Sequence, residues 1–483
     1  MVNTASPKFL LAFKNTIRRL LAEVDRINKS ESSFTNHMIV GGLFIIILIY
    51  TLQRTQYPFV YDSYNYWDLA SSFNSNGHFS FTNYSNGLRG YSFPFLLFLL
   101  QSQADLLGFS AKILYAIYSA LFFSIFAMYI SPWFFRVVFQ WKIQNLNRLC
   151  FSFLLFFFWR GYFLYPLTDF PALVALMIGI TILVKTVRDH VNPIFSVLIG
   201  LFIGASMNFR PAYLISFIVI SVLALVGWQK CGIKNTVLNS TFFLLGCGIV
   251  LFPQLLINQV HYQVNSPLVT AKINMGGIST SLYTGQLYGG LINQKYESNV
   301  GNNYPYPNVQ YSNPLYSKIP DAMREPTIRN YFNIIREYPL EIVTSYFRHA
   351  FNGIDIFYST PYVRNLFVNH IFFSFINYMI WFLCLIYINK LDYGNIDFSK
   401  LVGLLCLIAL VILAIPIQVE VRFFLPLFIL AYGLISFRFD YKKIIFSLLN
   451  DKEYFLRILF FFFLFILMCF TLSLGTIEKL FLG

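Results

Sequence analysis

The chain has 483 residues, of which 57% are hydrophobic, 19% aromatic and only 12% charged, with a mean hydropathy of +0.61. A soluble domain carries about 25% charged residues, so this composition excludes a soluble globular protein and predicts a polytopic membrane protein. The net charge of +14 (35 basic, 21 acidic) falls mostly in short loops beside apolar runs. That is the positive-inside bias rather than a nucleic-acid footprint, and no nucleic-acid partner is expected.

Residues 1–37 are read as a cytoplasmic basic amphipathic segment. Lys8, Lys14, Arg18, Arg19, Arg26 and Lys29 alternate at helical spacing with Leu10, Leu11, Phe13, Ile17, Leu20, Leu21 and Val24, as in a helix lying on a membrane surface. A solvated tail fits the same residues. The segment is long, mixed in charge and lacks a small-residue cleavage pattern, so it is not read as a cleavable signal.

A first span at about 38–53 leaves the cytoplasm. The apolar stretch beginning at Phe93 then poses a choice. If it crossed, the basic loop 132–148 would lie outside. If residues 91–108 stay on the outer face as a juxtamembrane helix, the basic loops 132–148, 185–190, 229–235, 389–400 and 438–457 all fall inside. The charge rule selects the second arrangement. The fold class is therefore an all-α polytopic membrane protein of about eleven transmembrane helices. The spans are expected at 38–53, 111–131, 149–165, 170–186, 193–209, 211–228, 236–258, 366–388, 399–416, 423–437 and 456–474. The domains are the cytoplasmic segment 1–37, an N-terminal core 38–258 with a first outer loop at 54–110, a large extracytoplasmic loop 259–365, and C-terminal helices 366–483. The segment 259–365 opens with polar, Gly-rich and Tyr-rich sequence, at Gly276-Gly277, Gly289-Gly290 and Tyr304-Pro305-Tyr306-Pro307. Helical periodicity follows from Asp321 to Phe351, with Ile328, Tyr331, Phe332 and Ile335 on one face and Ile342, Val343, Tyr346 and Phe347 on another.

The six cysteines, Cys150, Cys231, Cys247, Cys384, Cys406 and Cys469, lie in apolar runs or a short basic loop. Neither a disulfide framework nor a CxxC metal pair is expected. Charged residues instead gather at the expected outer boundary. Asp62 and Asp68 sit among aromatics in Tyr61-Asp62-Ser63-Tyr64-Asn65-Tyr66-Trp67-Asp68, and Arg89 follows in Arg89-Gly90-Tyr91. Arg160 and Asp169 flank the end of the third span, Arg210 closes the fifth, and Glu420 and Arg422 occupy a late turn. Charge at the edge of hydrocarbon costs a few kcal/mol unless paired or hydrated, which marks such residues as functional candidates. Each also has a structural reading. Glu420 and Arg422 can pair with each other, Asp169 can cap the following helix with Pro171 in its first turn, and Arg210 can anchor an interface. Asp68, six residues after Asp62, falls off its helical face and reads as a solvated carboxylate.

These pieces resemble the GT-C superfamily of polyprenyl-phosphate-sugar-dependent glycosyltransferases, the group of the protein O-mannosyltransferases and lipid A aminoarabinose transferases. The resemblance is carried by Asp62 before an aromatic helix, Arg89-Gly90-Tyr91 with Pro94, Thr168-Asp169-Phe170-Pro171 and Phe209-Arg210-Pro211. Glu337-Tyr338-Pro339-Leu340 and Glu420-Val421-Arg422-Phe423 with Pro426 complete it. It departs from that family in the single proline after Arg89. It implies an inverting transferase on the outer face of the plasma or inner membrane. The implied partners are a polyprenyl-monophosphate sugar donor, a glycan, lipid or protein acceptor, and membrane lipids. Asp62 and Asp169 would be catalytic, Asp62 as general base. Arg89, Arg160, Arg210, Glu420 and Arg422 would hold the donor and its phosphate. No cofactor is required: Asp62 has no DxD or ExD partner, and the six His show no ligand spacing. An oligosaccharide polymerase or ligase, using the arginines of 259–365, and a lipid-linked sugar flippase are the alternative readings.

Overall fold

A computed structural model describes residues 33–53, 55–189, 192–230, 232–275, 278–300, 308–365, 370–389, 397–438 and 451–479. The predicted amphipathic stretch 8–29, Gly276-Gly277 and Tyr304–Pro307 lie outside the described residues. The protein is predominantly helical. Among the described residues, seven helices are long and apolar enough to cross a membrane: Ala111–Val138, Asp169–Asp189, Pro211–Gln229, Ile233–Tyr262, His370–Ile388, Val421–Arg438 and Glu453–Ile477. His37–Leu52, Phe195–Phe209 and Phe398–Ala414 are apolar but shorter. At 1.5 Å per residue the last two fall short of a hydrocarbon core of roughly 30 Å, and the first is the apolar part of a longer helix, Ser33–Leu52. Helix lengths alone thus support seven spans, fewer than the eleven expected. The predicted span 149–165 divides into a helix, Asn145–Trp159, and a 3-10 turn, Arg160–Leu164.

Five helices frame the first loop: α1 (Ser33–Leu52), α2 (Tyr61–Leu69), α3 (Ser92–Leu107), α4 (Ala111–Ile125, running on through a π-turn to Val138) and α5 (Asn145–Trp159). The Thr51 hydroxyl reaches the Ala116 carbonyl at 3.3 Å, and the Lys112 ammonium reaches the Tyr57 carbonyl at 3.4 Å. The end of α1 and the start of α4 are therefore side by side, so residues 53–110 leave and re-enter the bundle at one end. Helix α3 does not cross between them. It packs instead on the loop itself, with Phe93 and Leu97 against Ala70, and Phe95 and Phe98 against Phe73, Tyr84 and Tyr91.

The bundle continues with α6 (Asp169–Asp189), α7 (Phe195–Phe209), α8 (Leu214–Gln229) and α9 (Ile233–Tyr262). Helices α7 and α9 touch backbone to backbone: a Cβ on Gly200 would run into the Phe243 carbonyl, and one on Gly246 into the Val197 carbonyl. Small residues at such crossings let membrane helices approach closely, so that packing and dispersion hold them. After the large loop come α13 (His370–Ile388), α14 (Phe398–Ala414), α15 (Leu425–Gly433) and α16 (Lys452–Ile477). At the end opposite the first loop, Gln140 bonds Asp397 at 2.7 Å, Lys230 lies 5.4 Å from the Phe398 ring centre, and Asn147 bonds the Ser436 carbonyl at 2.6 Å.

The described residues of the segment 259–365 include two small sheets that the sequence reading did not foresee. Strands β1 (Lys272–Met275) and β2 (Ile278–Ser281) pair antiparallel. Helix α10 (Leu282–Ile292) leads to β3 (Asn293–Asn299), which lies between β4 (Asn308–Ser312, antiparallel) and β5 (Tyr362–Val363, parallel). The predicted periodic stretch is broken into α11 (Ile328–Glu337) and α12 (Pro339–Ile354), because Pro339 cannot continue the helical ladder and disfavours helical geometry at Tyr338. Each of the two apolar groupings is split between buried and exposed positions. Tyr331, Ile334, Ile342 and His349 are buried, whereas Ile328, Phe332, Val343 and Phe347 are exposed.

Candidate functional site

Asp62 is the second residue of helix α2, directly after a strained one. Tyr61 has φ 49°, a left-handed conformation that costs a residue with a side chain on the order of 1–3 kcal/mol. Two contacts from β5 hold it: the Tyr61 and Tyr362 rings stack at 5.6 Å, and the Ser63 amide donates to the Tyr362 hydroxyl at 3.1 Å. The large loop thus braces the turn that presents Asp62.

Arg89 is set by its own backbone. The Asn86 carboxamide oxygen accepts the Leu88 and Arg89 amides, each at 2.9 Å, and the Tyr84 hydroxyl donates to the Arg89 carbonyl at 2.9 Å. Gly90 lies against the end of α7, where any Cβ would collide with the Asn208 carbonyl. The Asn208 side chain accepts from the Ser92 amide and hydroxyl at 2.9 and 2.6 Å and donates to Gln254 at 3.1 Å. This buried amide network joins the first loop to α7 and α9, and every such group that finds its partner avoids a penalty of about 1–3 kcal/mol. The Arg89 guanidinium then lies 5.1 Å from the Tyr66 ring centre and reaches Asp62 Oδ1 at 2.5 Å.

The late turn Glu420–Arg422 meets the other side of Asp62. Arg422 Nη2 is 3.1 Å from Asp62 Oδ2, Nη1 is 3.9 Å from Asp169 Oδ2, and Nε is 2.6 Å from Glu420 Oε2. Asp169, 2% exposed at the start of α6, also pairs with Arg210, which lies 4.9 Å from the Phe423 ring centre. Three arginines and three carboxylates thus form one network, drawn from the first loop, the ends of α6 and α7, and the turn before α15. Burial pushes the Asp62 carboxyl up, but Arg422 and Arg89 outweigh it and hold it below the ordinary range. Glu420 and Arg422 do pair with each other, and Arg422 reaches two further carboxylates besides.

One residue of the expected constellation turns away from it, and Asp68 stands outside it as the solvated carboxylate it was expected to be. Arg160 donates to the Phe157 carbonyl at 2.6 Å, so its charge serves the end of its own helix, where exposed carbonyls favour a cation. Asp68 is exposed. No family model matches the chain, and no curated protein matches it significantly.

Beyond the network, β3 was not anticipated at the site. The Tyr296 amide donates to the Val419 carbonyl at 2.9 Å, which seats the strand beside Glu420 and Arg422. Lys295 is fully buried, donates to the Asp355 carbonyl at 2.6 Å and lies 3.7 Å from Glu297 Oε1. Asn293-Gln294-Lys295-Tyr296-Glu297-Ser298-Asn299 has no β-branched residue and reads as a solvated loop. Only the alternation of charge and ring in Lys295-Tyr296-Glu297 hints at a strand with two distinct faces.

Proposed function

We propose that the protein is an inverting membrane glycosyltransferase that moves a sugar from a polyprenyl monophosphate to an acceptor hydroxyl. The observation that carries this reading is Asp62 held between Arg89 and Arg422, with Arg210 one carboxylate away. Three guanidiniums at one end of a helical bundle suit a phosphate, whose oxygens they match in paired hydrogen bonds. A carboxylate in their midst suits a proton acceptor.

In the resting protein the arginines are neutralised by Asp62, Asp169 and Glu420. A donor phosphate competes for the same guanidiniums. As Arg89 and Arg422 turn to it, Asp62 loses positive charge beside it and becomes more basic. The acceptor hydroxyl attacks the anomeric carbon, Asp62 takes its proton, and the bond to the phosphate oxygen breaks. Arg422 and Arg210 then stabilise the charge left on the polyprenyl phosphate. Asp169 positions both arginines.

The site faces the extracytoplasmic side in this reading, with about eleven crossings and a cytoplasmic N-terminus. Support comes from the opposite end of the bundle, where Arg136, Lys142, Arg148, Lys230 and Lys400 lie in or beside the loops that meet there. The polymerase or ligase alternative is less favoured, since three of the large loop's arginines are engaged with separate local partners. Arg324 pairs with Asp321 at 2.6 Å, Arg348 donates to the Leu472 carbonyl, and Arg364 lies over Tyr57.

The test is transfer of labelled sugar from polyprenyl monophosphate to membrane acceptors by the purified protein. Transfer from the monophosphate, lost in Asp62→Asn, supports the proposal. Transfer from a diphosphate donor alone, or full activity in Asp62→Asn, overturns it.

A further inference from the structure

Two cations at the rim of the bundle stand apart from the charged network. Lys112, in the first turn of α4, reaches the Tyr57 carbonyl at 3.4 Å and lies 5.8 Å from the Phe59 ring centre. Arg364 follows directly after β5 and lies 4.5 Å from the Tyr57 ring centre. The large loop and the first membrane helices therefore bring two positive charges to one short stretch, residues 57–59. Arg364 is exposed and Lys112 half-buried.

Among the described residues, the partners of this pair are rings and a carbonyl, never a carboxylate. At the same end of the bundle Arg89, Arg210 and Arg422 are each neutralised by Asp62, Asp169 or Glu420. A ring face attracts the charge of a guanidinium but occupies none of its N–H groups, so the pair keeps donors for an anion.

The source of that anion follows from depth. Lys112 opens a helix long and apolar enough to cross a membrane, and Arg364 shortly precedes another, His370–Ile388. The Phe59 ring centre is 4.9 Å from that of Trp67. With Tyr57, 44% exposed, these rings form the kind of aromatic belt that settles at headgroup level. Further along α4, Ile113, Ile117 and Leu121 are exposed at i, i+4 and i+8, a strip on one side of the helix that acyl chains cover. A soluble phosphate would use the cations and leave this strip bare. A zwitterionic headgroup would bring its own ammonium against them. A lipid of net negative charge suits both parts, with its phosphate on Lys112 and Arg364 and its chains along α4. We propose that residues 57–59, Lys112 and Arg364 form a headgroup site for an anionic phospholipid of the leaflet at this end of the bundle. The site is independent of the transferase reading.

The test must locate the lipid, because the basic loops at the opposite end also attract anionic headgroups. The full chain in non-ionic detergent is photolabelled with phosphatidylglycerol carrying a diazirine in its acyl chain, and labelled peptides are identified by mass spectrometry. Label on residues 106–121 should be displaced by unlabelled phosphatidylglycerol at concentrations about thirtyfold below those needed of phosphatidylcholine, taking about fivefold for each cation beside an anionic headgroup. In Lys112→Gln/Arg364→Gln that ratio should fall to about one, while label on residues 132–148 is unchanged. Either single variant should keep a ratio of about five, which covers the case in which the double variant fails to fold. Equal displacement by the two lipids in the wild type overturns the site, as does a ratio that survives unchanged in the variants. Displacement by soluble glycerol phosphate at the same concentration as phosphatidylglycerol overturns the lipid assignment.

Discussion

Arg422 Nη2 lies 3.1 Å from Asp62 Oδ2, although 360 residues separate the two in sequence. The same guanidinium is 2.6 Å from Glu420 and 3.9 Å from Asp169. One planar cation therefore serves three carboxylates, which only a side chain with donors on several edges can do. Removing it would leave like charges facing one another in a half-buried site.

Asp62→Asn keeps the shape and removes the charge. Sugar transfer should fall by about a hundredfold to ten-thousandfold, the usual effect of losing a positioned base. Initial rates alongside a thermal unfolding curve check this, since a folded but inactive variant is the expected result.

Arg422→Lys should not rescue the site, because an ammonium cannot span three partners in a plane. Transfer should fall by about a hundredfold to a thousandfold, as for the loss of one donor to developing charge. Rates measured for Arg422→Lys and Arg422→Ala side by side decide the matter. Near-wild-type activity in the lysine variant would mean that charge alone suffices.

Gly90→Ala should destabilise the protein by about 1–3 kcal/mol through overpacking, since the new methyl meets the Asn208 carbonyl. It should also lower transfer, because Arg89 is the preceding residue. Gly248→Ala is the control, as its Cβ meets nothing within 4 Å. Unfolding temperatures of the two variants give the comparison.

His349, in α12 of the large loop, sits 2.8 Å from the Ile415 carbonyl. Burial drives its ring down to about 4 from the ordinary 6.5, with backbone hydrogen bonds opposing. The unfolded chain therefore takes up this proton before the folded chain does. The stability contributed by neutral His349 is complete above about 6.5 and is lost as pH falls towards about 4. Thermal unfolding at about pH 7.5 and pH 5 should show the drop, and His349→Asn should reduce its slope.

Much of this architecture was legible in the chain. Long apolar runs mark helices wherever lipid demands internal hydrogen bonding, and the helices at 169–189, 211–229 and 453–477 follow the hydropathy closely. Asp62, Asp169, Arg210 and Arg422 stood out because charge at a helix end in an apolar chain is costly. What sequence could not reveal was direction. Arg160 carries the same signal as Arg210 yet turns to its own helix. Glu297 sits in a polar stretch with no strand pattern, and its burial depends on a turn more than a hundred residues later. The apolar groupings of α11 and α12 left open which of their residues are buried, since periodicity finds a stripe without saying what covers it.

That stripe yields another prediction. Arg348 donates to the Leu472 carbonyl near the end of α16, so α12 lies level with that membrane helix, and Phe347 beside it is 74% exposed. Acyl chains of the nearer leaflet should cover it, as they cover interfacial amphipathic helices. Phe347→Trp should add a fluorescence component quenched by brominated lipids. A component quenched only by water-soluble agents would place α12 above the bilayer.

The bond between the Tyr296 amide and the Val419 carbonyl has one more consequence. It fastens the large loop to the residue just before Glu420, so a pull on the strand is felt at the Arg422 guanidinium. If the proposed transferase reading holds, a ligand on the loop would shift the cation that grips the phosphate, and a disturbance at either end would be passed to the other through this one bond.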